Sequence, residues 1–296
     1  MIRKNSLQAW VLAVRPKTLS ASATPVFVAC ALAYRSGYFQ WKPALICLVF
    51  AVLAQIVSNL ANDYFDYKKG SDKDDRLGPP RAVAEGWIAP RTMLTVTLGL
   101  LAADCALGLT LIYYGGWFLT GVGLLIAVFV LAYSGGPYPL AYHGWGDVCV
   151  LIFFGIVPVG FTYYVQALQW PLSATICGMA VGLTIINILV ANNFRDRFTD
   201  READKRTSIV IFGETFGQRF YLINGWLAVI ACQYFWLENS GLAAILPLFY
   251  LPFHYRTWAE MVRIGQGKDL VAILGKTARN VLIFGVLLSL GLLLSR

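Results

Sequence analysis

The chain has 296 residues, 58% of them hydrophobic and only 14% charged, with a net charge of +8. A soluble domain would carry about 25% charged residues, so a water-soluble globular class is excluded. Long apolar runs exclude a β-barrel, whose strands would be about ten alternating residues, and in so apolar a chain the positive balance speaks of membrane topology and not of nucleic acid.

The opening stretch, MIRKNSLQAWVLAVRPKTLS, has no apolar core followed by a small-residue cleavage site. It is read as carrying no removable signal peptide, with the first membrane helix serving for insertion. Hydropathy then predicts nine spans, at 18–36, 43–66, 91–113, 115–134, 146–166, 172–195, 217–236, 240–256 and 277–295. With the N-terminus inside, every Lys and Arg except Arg35, Lys42 and Arg296 falls on the cytosolic side, as the positive-inside bias expects. The expectation is therefore an all-α polytopic membrane protein, N-in and C-out, forming one domain over 1–296. The outer connections are tight, whereas 67–90, 196–216 and 257–276 are long and polar, so function is sought on the cytosolic side. Six scattered cysteines without a C-x-x-C pair read as packing residues, and His143 and His254 are too few for a histidine-based metal site.

The second and sixth predicted spans end alike, in ANDYFDYKKGSDKDDR and ANNFRDRFTDREADKR. On an α-helix Asn59, Asn62, Asp63 and Asp66 share an arc of about 100°. Asn192, Asp196, Asp200 and Asp204 step by four over a similar arc, with Asn193 inside it. Ionisable groups beside lipid are costly and usually functional, and hard oxygen ligands suit Mg²⁺ shared with substrate phosphates. One such cluster would read as solvated or Lys/Arg-paired aspartates; two, each with asparagines still inside the apolar span, favour a metal–diphosphate clamp. For Asp74 and Asp75, further out, a solvated loop is the better reading.

Lys68, Arg81, Arg195, Lys205 and Arg206 lie near these carboxylates and would stabilise charge developing on a leaving diphosphate. RLGPPRA at 76–82 reads as a rigid turn ahead of Arg81, with a purely structural loop equally open. YSGGPYPLAYHGWGD at 133–147 has glycines for close backbone approach and Tyr133, Tyr138 and Tyr142 as flat surfaces, so it reads as a lid or wall for a flat substrate. Asp147 reads equally as a helix N-cap. Asp104, mid-span and without a charged companion in sequence, stays outside the site.

N-x-x-N-D-x-x-D-x-x-x-G-x-D at 59–72, GPPR at 78–81, the 133–147 segment and N-N-x-R-D with the later DKRT together resemble the UbiA superfamily of intramembrane prenyltransferases, in particular its menaquinone-forming branch. The resemblance implies nine helices around a central cavity in a bacterial cytoplasmic membrane, with the active site facing the cytosol. It implies Mg²⁺ and a polyprenyl diphosphate held by Asn59, Asn62, Asp63 and Asp66 on one side and by Asn193, Asp196 and Asp200 on the other, the four aspartates being the metal ligands. The implied acceptor is 1,4-dihydroxy-2-naphthoate. Lys68, Arg195 and Lys205 would draw off diphosphate, the ring would attack the allylic carbon, and CO₂ would be lost. Arg81 or Lys68 is assigned to the naphthoate carboxylate and Tyr138 to its ring. Two departures stand out: related branches have a lysine in the segment matching 133–147, where this chain has none, and Asp204 stands where glycine is common. The competing readings are 4-hydroxybenzoate, homogentisate or haem as acceptor, a secondary transporter, and a non-catalytic lipid- or quinone-binding scaffold. Prenyl length and oligomeric state leave no mark in the sequence.

Overall fold

The apolar runs are helical in the computed structural model, which describes residues 2–70 and 77–295. Asp72, Asp74 and Asp75 therefore lie outside the described residues, which contain helices and no strand. A short apolar helix, α1 (Leu7–Val14), is capped by the Ser6 hydroxyl, which accepts from the Ala9 amide at 3.3 Å. It buries Ala9 and Ala13 and leaves Leu7 and Val11 exposed. Then come α2 (Leu19–Arg35), α3 (Trp41–Lys68), α4 (Pro90–Leu109) and α5 (Leu119–Ala132). After them run α6 (Gly146–Ala167), α7 (Leu172–Glu202), α8 (Glu214–Cys232), α9 (Leu251–Ile264) and α10 (Leu270–Leu294).

Five helices among the described residues are long and apolar enough to cross a bilayer: those beginning at Trp41, Pro90, Gly146, Leu172 and Leu270. The predicted interval 240–256 is not one helix. Gly241–Ile245 leads into a 3-10 stretch, Leu246–Tyr250, and then into α9; Pro247 and Pro252 lack the amide donors an unbroken α-helix needs there. Exposed apolar side chains such as Leu124, Leu125, Ile230 and Leu290 face outward along the bundle, as lipid contact requires. Tyr113, Trp117, Trp41 and Trp236 are exposed at helix ends remote from the acidic motifs, the distribution of an interfacial aromatic belt.

Helix α7 is the axis, packing on α6, α8 and α10, while α10 packs on α2. Small residues set its closest approach. Gly178 and Gly182 of α7 meet Gly155 of α6, where a Cβ would lie 2.5 Å from the Gly178 carbonyl oxygen and 2.7 Å from Gly182 Cα. This is a G-x-x-x-G contact of the kind that packs membrane helices. Around that contact α6 widens into a π-helical turn, Leu151–Ile156. The interior polar groups here are satisfied by one another: Tyr250 with His254 Nδ1 at 3.1 Å, His254 Nε2 with the Leu222 carbonyl at 3.1 Å, and Tyr221 with Thr277 at 2.8 Å. His254 thus bridges α8 and α9.

Length explains why the acidic motifs leave the oil. At 1.5 Å per residue α7 is about 46 Å long and α3 about 42 Å, against a hydrocarbon core of about 30 Å. Their last turns, carrying Asp63, Asp66, Asp196 and Asp200, project beyond the apolar windows. At the end of α3 lies a small satellite core in which Leu60 packs with Ala9 and Ala13 of α1 and with Ala82, Val83 and Ile88.

Candidate active site

At the end of α3 the first ladder builds a loop. Asn59, 3% exposed, donates to the Val14 carbonyl at 2.8 Å and to Thr18 Oγ1 at 3.1 Å, and accepts from Gln55 at 3.1 Å. It thereby holds the α1–α2 junction against α3. Asp63, 1% exposed, accepts the amides of Ala82 and Val83 at 3.0 and 3.2 Å. That pair of bonds fixes the GPPR turn and carries Arg81 to Asp66, whose Oδ2 lies 2.9 Å from the Arg81 guanidinium. The other Asp66 oxygen accepts from the Tyr142 hydroxyl at 3.1 Å. Lys68 is exposed at the helix end. Its neighbour Lys69 turns to the 133–147 segment, donating to the Ser134 carbonyl at 2.9 Å with its ammonium 4.2 Å from the centre of the Tyr142 ring.

The second ladder pairs with cations close in sequence. Arg195, 1% exposed, grips Asp196 through Nε at 2.7 Å and Nη2 at 2.6 Å, and donates to Asn192 Oδ1 at 2.6 Å. Lys205 reaches Asp200 Oδ1 at 3.2 Å, and the buried Oδ2 of Asp200 has no partner among the described residues. Burial works against the Lys205 charge, but Asp200, Asp66 and Asp196 outweigh it and raise its pKa above the ordinary lysine value. One ammonium thus feels carboxylates from both ladders, which brings the two motifs together. Asn193 is buried beside them. Arg197 faces away, binding the Phe194 and Gly265 carbonyls and Glu214, and Asp204 sits exposed in a left-handed turn beyond α7.

The 133–147 segment forms a wall. Tyr133, Ser134, Ala141, Tyr142, Gly144, Gly146 and Asp147 line a polar cavity of about 590 Å³ with Asn62, Asp66, Arg81, Asn192, Asn193 and Lys205. Tyr138, assigned from sequence to the substrate ring, is instead 55% exposed and stacks on His143 at 3.6 Å. The polar cavity shares Arg15, Asn62, Arg81, Tyr133, Leu189 and Asn192 with a second space of about 980 Å³. That space shares Gln55, Ser58, Phe129 and Phe154 with an apolar chamber of about 990 Å³ among α2, α3, α5 and α6. The three adjoin in succession, from an ionic mouth to an apolar interior.

The donor set suits a hard divalent cation: only oxygens, one of them an orphaned buried carboxylate oxygen on Asp200, gathered around a lysine ammonium. Among the described residues no three acidic, thiol or imidazole side chains stand close enough to hold a metal unaided. Such an ion would complete its shell with water or substrate oxygens, as Mg²⁺ usually does.

Comparison with known proteins decides the family. The model of the UbiA prenyltransferase family matches residues 22–267. The chain belongs to this family. It is 34% identical over 300 residues to the 1,4-dihydroxy-2-naphthoate octaprenyltransferase of Escherichia coli K12, covering 98% of this chain and 96% of that one. It is 35% identical over 282 residues to the Mycobacterium tuberculosis protein of the same description, covering 95% of each. A UbiA homolog from Archaeoglobus fulgidus, solved bound to GPP and Mg²⁺, shares the fold at a TM-score of 0.65 and 14% identity, over 95% of this chain and 99% of that one. Membership of a prenyltransferase family displaces the transporter and scaffold readings.

Within this UbiA chain, sequence reasoning passed over Arg15, Lys69 and the wall residues Ser134 and Gly146. Lys69 follows Lys68 directly and both are exposed, but it is Lys69, the residue capping α3, whose ammonium reaches the Ser134 carbonyl and the Tyr142 ring.

Proposed function

We propose that the protein transfers a polyprenyl group from a polyprenyl diphosphate to 1,4-dihydroxy-2-naphthoate, releasing diphosphate and CO₂ and giving demethylmenaquinol, the quinol form of demethylmenaquinone. The observation that carries this reading is the succession of adjoining spaces from a mouth of paired carboxylates and cations to an apolar chamber. A prenyl diphosphate has that same polarity along its length. The likeness to naphthoate prenyltransferases over nearly the whole chain supports the acceptor.

In this reading the tail lies along Phe129 and Phe154, and the diphosphate sits among Lys205, Arg195, Arg81 and Lys69. Asp66, Asp196 and Asp200 would hold Mg²⁺; Asp63 would join them only by releasing an amide of the Arg81 loop. When bound, the ion neutralises the departing diphosphate. Asn62 and Asn193 orient it, and Asn59 fixes the helix junction behind them. The wall excludes water from the allylic carbon until the ring attacks, so positioning in a dry cavity supplies much of the rate. Three features complete the proposal: nine crossings with the N-terminus inside, a site facing the cytosol of a bacterial cytoplasmic membrane, and a single unit over 1–296. The distribution of Lys and Arg supports them.

The test is product mass spectrometry on membranes containing the protein, a prenyl diphosphate, Mg²⁺ and, separately, 1,4-dihydroxy-2-naphthoate, 4-hydroxybenzoate or homogentisate. The naphthoate alone should gain the prenyl mass and lose CO₂. Prenylated 4-hydroxybenzoate as the main product would refute the acceptor.

A further inference from the structure

The sequence offers Asp147 as an N-cap, but its side chain caps nothing: the helix begins at Gly146 with Trp145 as its boundary and no side chain closing that end. Its carboxylate lines the polar cavity, and its Oδ1 is buried without a hydrogen-bond partner among the described residues. The Ser208 hydroxyl faces this carboxylate as a neutral donor, but no bond within hydrogen-bond distance closes on Oδ1. The contrast with the other carboxylates is plain. Asp63 holds two amides, Asp66 meets Arg81 and Tyr142, Asp196 meets Arg195, and Asp200 meets Lys205. A carboxylate held in a cavity without a cation awaits a neutral donor.

The surroundings describe that donor. Gly146 is buried; a Cβ there would come 3.2 Å from Leu189 and 3.5 Å from the Tyr133 hydroxyl. A side chain at position 146 would thus crowd the cavity that Tyr133, Asp147 and Leu189 line, and glycine leaves that space to a ligand.

We propose that Asp147 accepts the hydrogen bond, and then the proton, of the aromatic hydroxyl of the acceptor substrate, an inference that rests on the transfer reaction proposed above. As the carboxylate-bearing ring carbon bonds to the allylic carbon, the carbon–oxygen bond to diphosphate breaks and diphosphate takes its electron pair. The O–H pair of the ring hydroxyl moves into the ring, the oxygen becomes a ketone, and its proton passes to Asp147. The ring–carboxylate bond then breaks, CO₂ leaves, and the released pair restores the aromatic ring while Asp147 returns the proton to the oxygen. The carboxylate ends as it began, and no oxidant or further base is needed.

The test compares wild type with D147N and D147E, using 1,4-dihydroxy-2-naphthoate and a ring-fluorinated analogue whose hydroxyl ionises more readily. Geranyl thiodiphosphate with Mg²⁺ probes the diphosphate site. For D147N, kcat should fall at least 100-fold with the ordinary acceptor, while affinity for the thiodiphosphate stays within threefold of wild type. The fluorinated acceptor should shrink the defect at least tenfold, a rescue that a structural role would not give. Should D147N not fold, D147E carries the same comparison, because its displaced carboxylate should also be helped by the more acidic hydroxyl. D147N turnover within threefold of wild type, equal defects with both acceptors, or loss of thiodiphosphate binding would each overturn the assignment. Absence of product from the wild type would overturn the transfer reaction itself, and this inference with it.

Discussion

The two aspartate ladders look alike in sequence and differ in what they hold. The first, on α3, reaches outward: Asp63 fastens the backbone of a loop nearly twenty residues away, and that loop delivers Arg81 to Asp66. The second, on α7, is satisfied locally, by Arg195 beside Asp196 and by Lys205 just beyond Asp200. The same spacing of carboxylates thus serves two tasks. One assembles the mouth from separate parts of the chain, and the other presents charge from the most buried helix of the bundle. The lesson is that a repeated motif need not mean two equivalent half-sites.

The largest effects should come where the ladders converge. D66N, D196N and D200N should each lower prenyl transfer at least about 100-fold, the loss typical of removing one preorganised electrostatic partner. Thermal unfolding in detergent should show the fold retained. Equal turnover in any of them would separate that ladder from the chemistry. D63A should act differently, through the loop. It deletes the acceptor for two buried amides, each worth about 1–3 kcal/mol when left unsatisfied. Proteolysis within 77–90 should become faster and the amides of Ala82 and Val83 should exchange faster, with D63N intermediate. If D63A left both unchanged, the division of labour between the ladders would fail.

A smaller effect is expected from Lys205. Its pKa is raised, so the stabilisation from its ion pair is fully present below the ordinary value of 10.5 and is lost only as pH climbs through the higher folded value. Stability of the wild type should therefore show no Lys205-dependent change between pH 6 and 9, and K205M should remove the alkaline difference. The smallest contrast lies between adjacent lysines: K69A should lower turnover several-fold, because Lys69 reaches the Ser134 carbonyl and the Tyr142 ring, whereas K68A should stay within about twofold of wild type. The reverse order would contradict the contact of Lys69 with the wall.

Periodicity carried much of this arrangement. The ladders, the apolar runs and the glycine- and tyrosine-rich wall are local patterns, and local patterns survive in a linear sequence. The broken interval 240–256 was hidden because hydropathy averages across Pro247 and Pro252. The tasks of Asp63 and Asn59 were hidden for another reason: a carboxylate bound to backbone amides and an amide bound to a carbonyl leave no trace in the identity of their partners. Tyr138 was chosen over Tyr142 from a segment holding both, and only the fold turns Tyr142 toward Asp66 while Tyr138 stacks on His143. Gly178 and Gly182 carry a legible small-residue spacing within α7, but their meeting with Gly155 depends on the packing of α6.

The most direct measurement is binding of geranyl thiodiphosphate to the purified protein as Mg²⁺ is titrated, in wild type, D66N and D200N. Two ladders serving one clamp require Mg²⁺-dependent binding in the wild type and at least tenfold weaker binding in either variant. Binding indifferent to Mg²⁺, or lost in one variant and untouched in the other, would contradict a shared clamp.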